Sequence, residues 1–189
     1  MKNTIIHIVG FPGSGKYTIA KEICALADVR LVDNHLINIP LFSLIKQDGA
    51  TPLPPRIWEN VGKIWDAVLD TMVHISPPEY NFVLTNALSN EGETDKEWSA
   101  NVQRAAQERG GVFIPVRLVC SVEENEKRIV SPERKNRMKE TNPASPRRNA
   151  ENYTVLKTGH PHELTLDVSD ISAREAAQRI IAHVKICGV

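Results

Sequence analysis

Residues 10–18 read Gly10-Phe11-Pro12-Gly13-Ser14-Gly15-Lys16-Tyr17-Thr18. A β-branched run, Thr4 to Val9, precedes them, and Ile19, Ile23, Cys24 and Ala27 follow at helical spacing. The order is strand, glycine-rich turn, helix, and the spacing G-x-x-x-x-G-K is that of a phosphate-binding loop. The glycines permit a tight loop whose backbone N–H groups turn inward. The helix that begins there adds the positive end of its dipole. Lys16 places a point charge on the β- and γ-phosphates of a nucleotide. Gly10, Pro12, Gly13, Ser14, Gly15, Lys16, Tyr17 and Thr18 are therefore the candidate nucleotide-binding residues.

One position departs from the usual pattern. The residue after the lysine is commonly a Ser or Thr that holds magnesium, and here it is Tyr17, with Thr18 next. Thr18 is expected to offer its hydroxyl to a phosphate, with Mg²⁺ held largely through water and a carboxylate, because this ion keeps much of its hydration.

Outward from the loop, strand and helix signals alternate. Further strands are expected at Val29 to Asp33, Asn81 to Thr85, Val112 to Val119 and Leu164 to Val168. Pro55 to Val73 carries Ile57, Trp58, Val61, Ile64, Trp65, Val68, Leu69 and Met72 at three- and four-residue spacing, an amphipathic helix with both indoles on its apolar stripe. Capping boxes are expected at Thr94/Glu97, Ser121/Glu124 and Ser172/Glu175, and the helix after Thr94 should stop at Gly110-Gly111. Five strands alternating with helices make an α/β fold, a parallel sheet with helices on both faces. Two stretches break the rhythm. Pro40 to Pro55 holds four prolines and is expected to be a loop. Between Lys127 and Arg148 stand eight Lys or Arg residues against two acids.

The chain has 189 residues, 41% of them apolar, which suits one domain with a sizeable core. Its 23 basic and 23 acidic residues cancel, which argues against bulk binding to nucleic acid or an anionic membrane. No apolar run near the start is long enough to span a bilayer, and no signal-peptide pattern is present. Cys24, Cys120 and Cys187 are scattered, without zinc-site spacing. A cytoplasmic protein with reduced thiols is expected.

The G-x-P-G-S-G-K-x-T loop, together with the order of elements, resembles the P-loop kinases of small molecules. That superfamily includes adenylate kinase, shikimate kinase, gluconate kinase and chloramphenicol phosphotransferase. The loop is most like that of adenylate kinase, where a residue other than Ser or Thr also follows the lysine. The resemblance implies a three-layer P-loop fold across residues 1–189, with an acceptor-binding insertion at about 34–75 and a short basic lid at about 131–149. It implies ATP and Mg²⁺ as cofactors and a small-molecule acceptor as partner.

The second strand ends in Val32-Asp33-Asn34-His35. Functional groups in an open α/β sheet gather at the carboxyl ends of strands. In the kinases resembled, an aspartate at this place orients the acceptor hydroxyl and accepts its proton; the plain alternative is a helix cap. Thr18 and Asp33 are the candidate metal contacts, and Asp33, His35, Arg56 and Asn86 the candidate acceptor contacts. The third strand ends without a carboxylate at Thr85-Asn86, which disfavours a motor-type ATPase. Asn90 and Glu91 are weaker acceptor candidates, and His160-Pro161 falls where relatives wrap adenine. Arg128, Arg134 and Arg137 match lid arginines that close on the transferred phosphate, Arg134 most of all. Lys16, Asp33 and Arg134 are thus the candidate catalytic set. The reading is ATP-dependent phosphoryl transfer to a hydroxyl of a small molecule, of shikimate kinase type. The alternatives are a regulatory ATP-binding protein with little turnover, a nucleoside monophosphate kinase, and an RNA-associated protein using the basic segment.

Overall fold

The computed structural model describes residues 1–46, 48, 51–136 and 138–188. Its centre is β1 (Thr4–Val9), six consecutive buried residues. Around it stand β2 (Arg30–Asp33), β3 (Phe82–Asn86), β4 (Val112–Val119) and β5 (Leu164–Asp167), all parallel, in the order β2-β3-β1-β4-β5. A strand buried on both faces needs apolar residues at successive positions, which the β-branched runs supply.

The alternation of side chains divides the core. Ile6 and Ile8 pack into the layer of α1 (Lys16–Leu26) and α8 (Ala173–Ile186), with Ile19, Ile23, Ile180 and Val184. Ile5 faces the other layer, where Val61 and Trp65 of α3 (Ile57–Asp70) meet Val102 and Ala106 of α4 (Glu93–Glu108). α2 (Asn34–Phe42) follows β2 directly and contributes Ile37 and Phe42 to this second layer. Beyond β4 come α5 (Val122–Ile129), α6 (Pro132–Asn136) and α7 (Ser145–Asn152).

The cap chemistry is partly as the sequence predicts. Ser121 and Ser172 accept the N–H groups of Glu124 and Glu175 at 3.3 and 3.1 Å. The box at Thr94 does not form. Gly92 is the N-cap of α4, and the Asp95 carboxylate instead accepts from the amide and hydroxyl of Ser89 at 2.8 and 3.0 Å. α4 ends as expected, with Gly110 at φ +63° and the Gly111 N–H on the Ala106 carbonyl at 2.8 Å.

Other expectations need correction. Pro40 lies inside α2, not in a loop. The helix opened by Pro55 begins at Ile57 and finishes in a π-turn, Thr71–Ile75. Trp65 is core, but Trp58 is 47% exposed although it lies on the same apolar stripe. Among the described residues no helix is long and apolar enough to cross a membrane.

Candidate active site

Parallel strands deliver their carboxyl ends to one edge of the sheet. There Asp33 pairs in register with Thr85, and Thr85 and Asn86 with Ile8 and Val9. The phosphate loop leaves β1 at the same edge. A cavity of about 670 Å³ lies over it, lined by the loop, β2, β3, α2, Trp58 and the 131–149 segment.

The loop has the shape its sequence demands. Gly13 and Gly15 hold φ of +91° and +86°, a region that disfavours side chains. A Cβ on Gly13 would also lie 1.9 Å from Asn125 Oδ1, so α5 presses against the loop from behind. The first amides of α1 have no intrahelical acceptor, and Gly15, Lys16 and Tyr17 open on the cavity. The Lys16 ammonium donates to the carbonyls of Gly10 and Phe11 at 2.5 and 2.9 Å. Burial of that ammonium, then the nearby Arg134 and Lys139, push its pKa down to about 7, against an opposing pull from Asp33. A helix N-terminus with a buried cation beside it suits a polyphosphate. Pro12, Gly13, Gly15, Lys16, Tyr17, Thr18, Arg128 and Arg134 line the cavity; Gly10 and Ser14 shape the loop without lining it.

Asp33 is 2% exposed. Its carboxylate accepts from the Thr85 hydroxyl at 2.6 Å, and Thr85 in turn accepts the Asn34 N–H at 3.3 Å. Asp33 is the N-cap residue of α2, but its side chain makes no capping bond. The carboxylate is thus fixed by β3. Beside it, the neutral His7 Nε2–H donates to Asn86 Oδ1 at 3.0 Å, and Asn86 Nδ2 donates to Asn34 Oδ1 at 3.4 Å. The Trp65 indole also donates to Asn34 Oδ1, at 3.3 Å. This chain of amides holds the floor of the cavity. Complete burial pushes the His7 pKa down to about 4, which keeps it uncharged. His35 lines the cavity with its pKa likewise near 4, lowered first by burial and then by Lys139.

The 131–149 segment folds over the opening. The Glu140 carboxylate takes the Ser145 hydroxyl and pairs with Arg148 at 3.5 Å, while the Glu140 carbonyl accepts Arg134 Nε at 2.9 Å. Burial lowers the Arg134 pKa. Arg128 is braced by Glu124 at 2.8 Å and the Val168 carbonyl at 2.9 Å, and its guanidinium reaches to within 3.8 Å of a Cβ built on Gly15. The Lys139 ammonium stands 4.7 Å over the Tyr17 ring, a cation–π contact between the segment and the loop. Arg137 lies outside the described residues.

Several expected residues are elsewhere. Arg56 is exposed at the start of α3 and does not line the cavity. Asn90 and Glu91 bind the backbone and side chain of Thr154, hold the chain after α7 and do not line the cavity. His160 stacks edge-on against Phe113, whose strand partner Ile5 lies toward the far end of the sheet from the loop. The sequence reading missed Asn38, Phe42, Trp58, Lys139 and Arg148, all of which line the cavity.

Asp33 and Thr18 bring hard oxygen donors to the cavity, of the kind magnesium takes. Among the described residues no three His, Cys, Asp or Glu side chains gather to hold a metal ion.

No protein-family profile matches the chain, and no curated protein matches it. Solved structures do. A gluconokinase from Sinorhizobium meliloti superposes with a TM-score of 0.68 at 14% identity, covering 98% of this chain and 93% of its own. The APS kinase of Mycobacterium tuberculosis, solved with AMPPNP and APS, gives 0.62 at 14% identity over 97% and 98%. A shikimate kinase from Acinetobacter baumannii gives 0.52 at 18% identity over 96% and 93%. The fold, a parallel five-stranded sheet between helical layers, is the one these solved kinases have.

Proposed function

We propose that this protein catalyses ATP-dependent phosphoryl transfer to a hydroxyl of a small-molecule acceptor. One observation carries the reading: Lys16 on its loop and the buried Asp33 carboxylate line the same cavity, from adjacent regions of one sheet edge. Lys16 and the amides of Gly13 and of Gly15 to Thr18 hold the β- and γ-phosphates. Asp33, held by Thr85, orients the acceptor hydroxyl and takes its proton as the oxygen bonds to the γ-phosphorus. The bond from that phosphorus to the β–γ bridging oxygen breaks, and ADP leaves with the electron pair. Arg134, with Arg128, stabilises charge on the transferring group. Magnesium would be held by phosphates, water, Thr18 and Asp33, and supplies neutralisation of phosphate charge. The three free thiols suit a reducing compartment, the cytoplasm.

The test is ADP release with MgATP across polyols, sugars, sugar acids, cyclitols and nucleosides. Acceptor-dependent release should fall about 100-fold or more in Asp33→Asn, the usual scale for a general base. Lys16→Ala should lose nucleotide affinity and transfer together. Full acceptor-dependent release in Asp33→Asn defeats the assignment of Asp33. Tight ATP binding with no stimulation by any acceptor supports the regulatory reading instead.

A further inference from the structure

The phosphate loop forms one wall of the cavity, and the ends of β2 and β3 with the start of α2 form another. On that second wall four side chains make one hydrogen-bonded row. The Trp65 indole donates to Asn34 Oδ1 at 3.3 Å, Asn86 Nδ2 donates to the same oxygen at 3.4 Å, and His7 Nε2–H donates to Asn86 Oδ1 at 3.0 Å. Trp65 and His7 are buried behind the wall, while Asn34 and Asn86 line the cavity.

One member fixes the direction of the row. The two ends of an amide are told apart by their partners, and an indole N–H can only donate. Asn34 must therefore turn Oδ1 toward Trp65, since the reverse would set two N–H donors against each other. With Oδ1 taking both donors, Nδ2 is the end left over. It bonds to no described residue, yet it is not sealed from solvent. Asn34 is half-buried on the cavity wall, so that Nδ2 opens into the cavity. The Asn34 backbone N–H is pinned to the Thr85 hydroxyl, the same hydroxyl that holds Asp33. A carboxylate that accepts and an amide that donates thus stand on consecutive residues of one rigid strand end.

We infer that Asn34 determines acceptor specificity: its Nδ2 donates to an oxygen on the carbon next to that of the reacting hydroxyl, so the acceptor is a diol, polyol or hydroxy acid and not an amino alcohol. The inference rests on the phosphoryl-transfer reading, in which Asp33 meets the reacting hydroxyl. A neighbouring hydroxyl or carboxylate oxygen has lone pairs for the Asn34 N–H. An ammonium in that place has only donors, and faces the amide with its water lost and nothing gained. Trp65 is a positioning residue, acting through the orientation it imposes on Asn34.

The experiment measures ADP release by the full chain with MgATP at neutral pH. The acceptors are matched pairs with an oxygen or an ammonium beside a hydroxyl: glycerate with serine, glucose with glucosamine, and myo-inositol with an inosamine. The oxygen member should show kcat/KM at least about tenfold higher. Asn34→Ala should raise the KM for that member about tenfold and leave the KM for ATP unchanged. Asn34→Asp keeps an oxygen for Trp65 and Asn86 and replaces only the donor by an acceptor. The ratio between the two members should then fall about tenfold or more, whatever the absolute rate. Trp65→Phe removes the indole that orients the amide and should also shrink this ratio, which lost packing alone would not do; the melting temperature checks the fold. Equal activity with both members in the unmodified protein, an unchanged ratio in Asn34→Asp, or a raised KM for ATP in place of the alcohol in Asn34→Ala overturns the role of Asn34 and leaves phosphoryl transfer standing. No stimulation by any member, with ATP binding intact, overturns phosphoryl transfer and this inference with it.

Discussion

Nucleotide binding should draw a proton from solution, and Lys16 is where it goes. With a pKa near 7 in the free protein, Lys16 is half protonated at neutral pH. At pH 8 the charged fraction is about one-tenth, one pH unit above the pKa. A bound polyphosphate places several negative charges on the ammonium in a site of low dielectric and restores its charge. Binding at pH 8 should therefore take up about 0.9 proton per nucleotide, about 0.5 at pH 7 and about 0.1 at pH 6. Affinity should weaken with pH above 7, by close to tenfold per unit. The sign follows from the direction of the shift. A lysine lowered on folding binds fewer protons than the nucleotide complex between its free and bound pKa values.

Calorimetric titration of a non-hydrolysable magnesium nucleotide in two buffers of different ionisation enthalpy measures the uptake directly. At pH 8 the nucleotide is itself fully ionised, so the proton belongs to the protein. Lys16→Met should abolish the uptake. Arg134→Met should reduce it at pH 8, because Arg134 is the first of the two cations that depress Lys16 and its removal raises the free pKa. Uptake below about 0.2 proton at pH 8 in the unmodified protein would refute the compressed-lysine picture.

Gly13→Ala should abolish nucleotide binding and lower the melting temperature, since it forces φ +91° on a side chain at a cost of about 1–2 kcal/mol and drives its Cβ into Asn125. Thr85→Val removes the hydroxyl that holds Asp33 and should lower kcat about tenfold or more with little change in ATP affinity, read by steady-state kinetics. Tyr17→Leu should raise acceptor-independent ATP hydrolysis relative to transfer, while Tyr17→Phe, which keeps the ring under Lys139, should not; the ratio of ADP to phosphorylated product decides. His7 is lowered from 6.5 to about 4, so its contribution is fully present above pH 6.5 and is lost as pH falls through 4. That loss is about 3 kcal/mol, and a His7→Leu variant should show a flatter unfolding profile across this window.

The parallel sheet and the phosphate loop were legible because both rest on local pattern: β-branched runs, a glycine spacing, a lysine at a helix start. Asp33 was legible because position at a strand end is itself a functional signal. The wall opposite was not. Asn38 sits in Asn34-His35-Leu36-Ile37-Asn38-Ile39-Pro40-Leu41-Phe42, where apolar residues dominate and the proline reads as a break. The usable signal was the pair His35 and Asn38, polar at i and i+3 on one face. Trp58 shares the stripe of Trp65, and nothing in the periodicity says that the helix start overhangs the cavity while its middle enters the core. His160 and Glu91 were misplaced because the route from α7 to β5 is set by tertiary bonds such as Asn90 to Thr154, which have no sequence period.

The zero net charge, uninformative as a total, hides a local excess of positive charge at the cavity. Positive charge is concentrated on the loop, α5 and the segment after it, where a bound polyphosphate would be matched. Much of it is braced internally, Arg128 by Glu124 and Arg148 by Glu140. Lys139 and Arg134 stand close enough to Lys16 to strain its protonation, so the segment in this position is electrostatically unfavourable without an anion beneath it. The same closeness becomes favourable once phosphates lie between the cations. The Lys139 ammonium stands 4.7 Å over the Tyr17 ring, and both residues line that cavity.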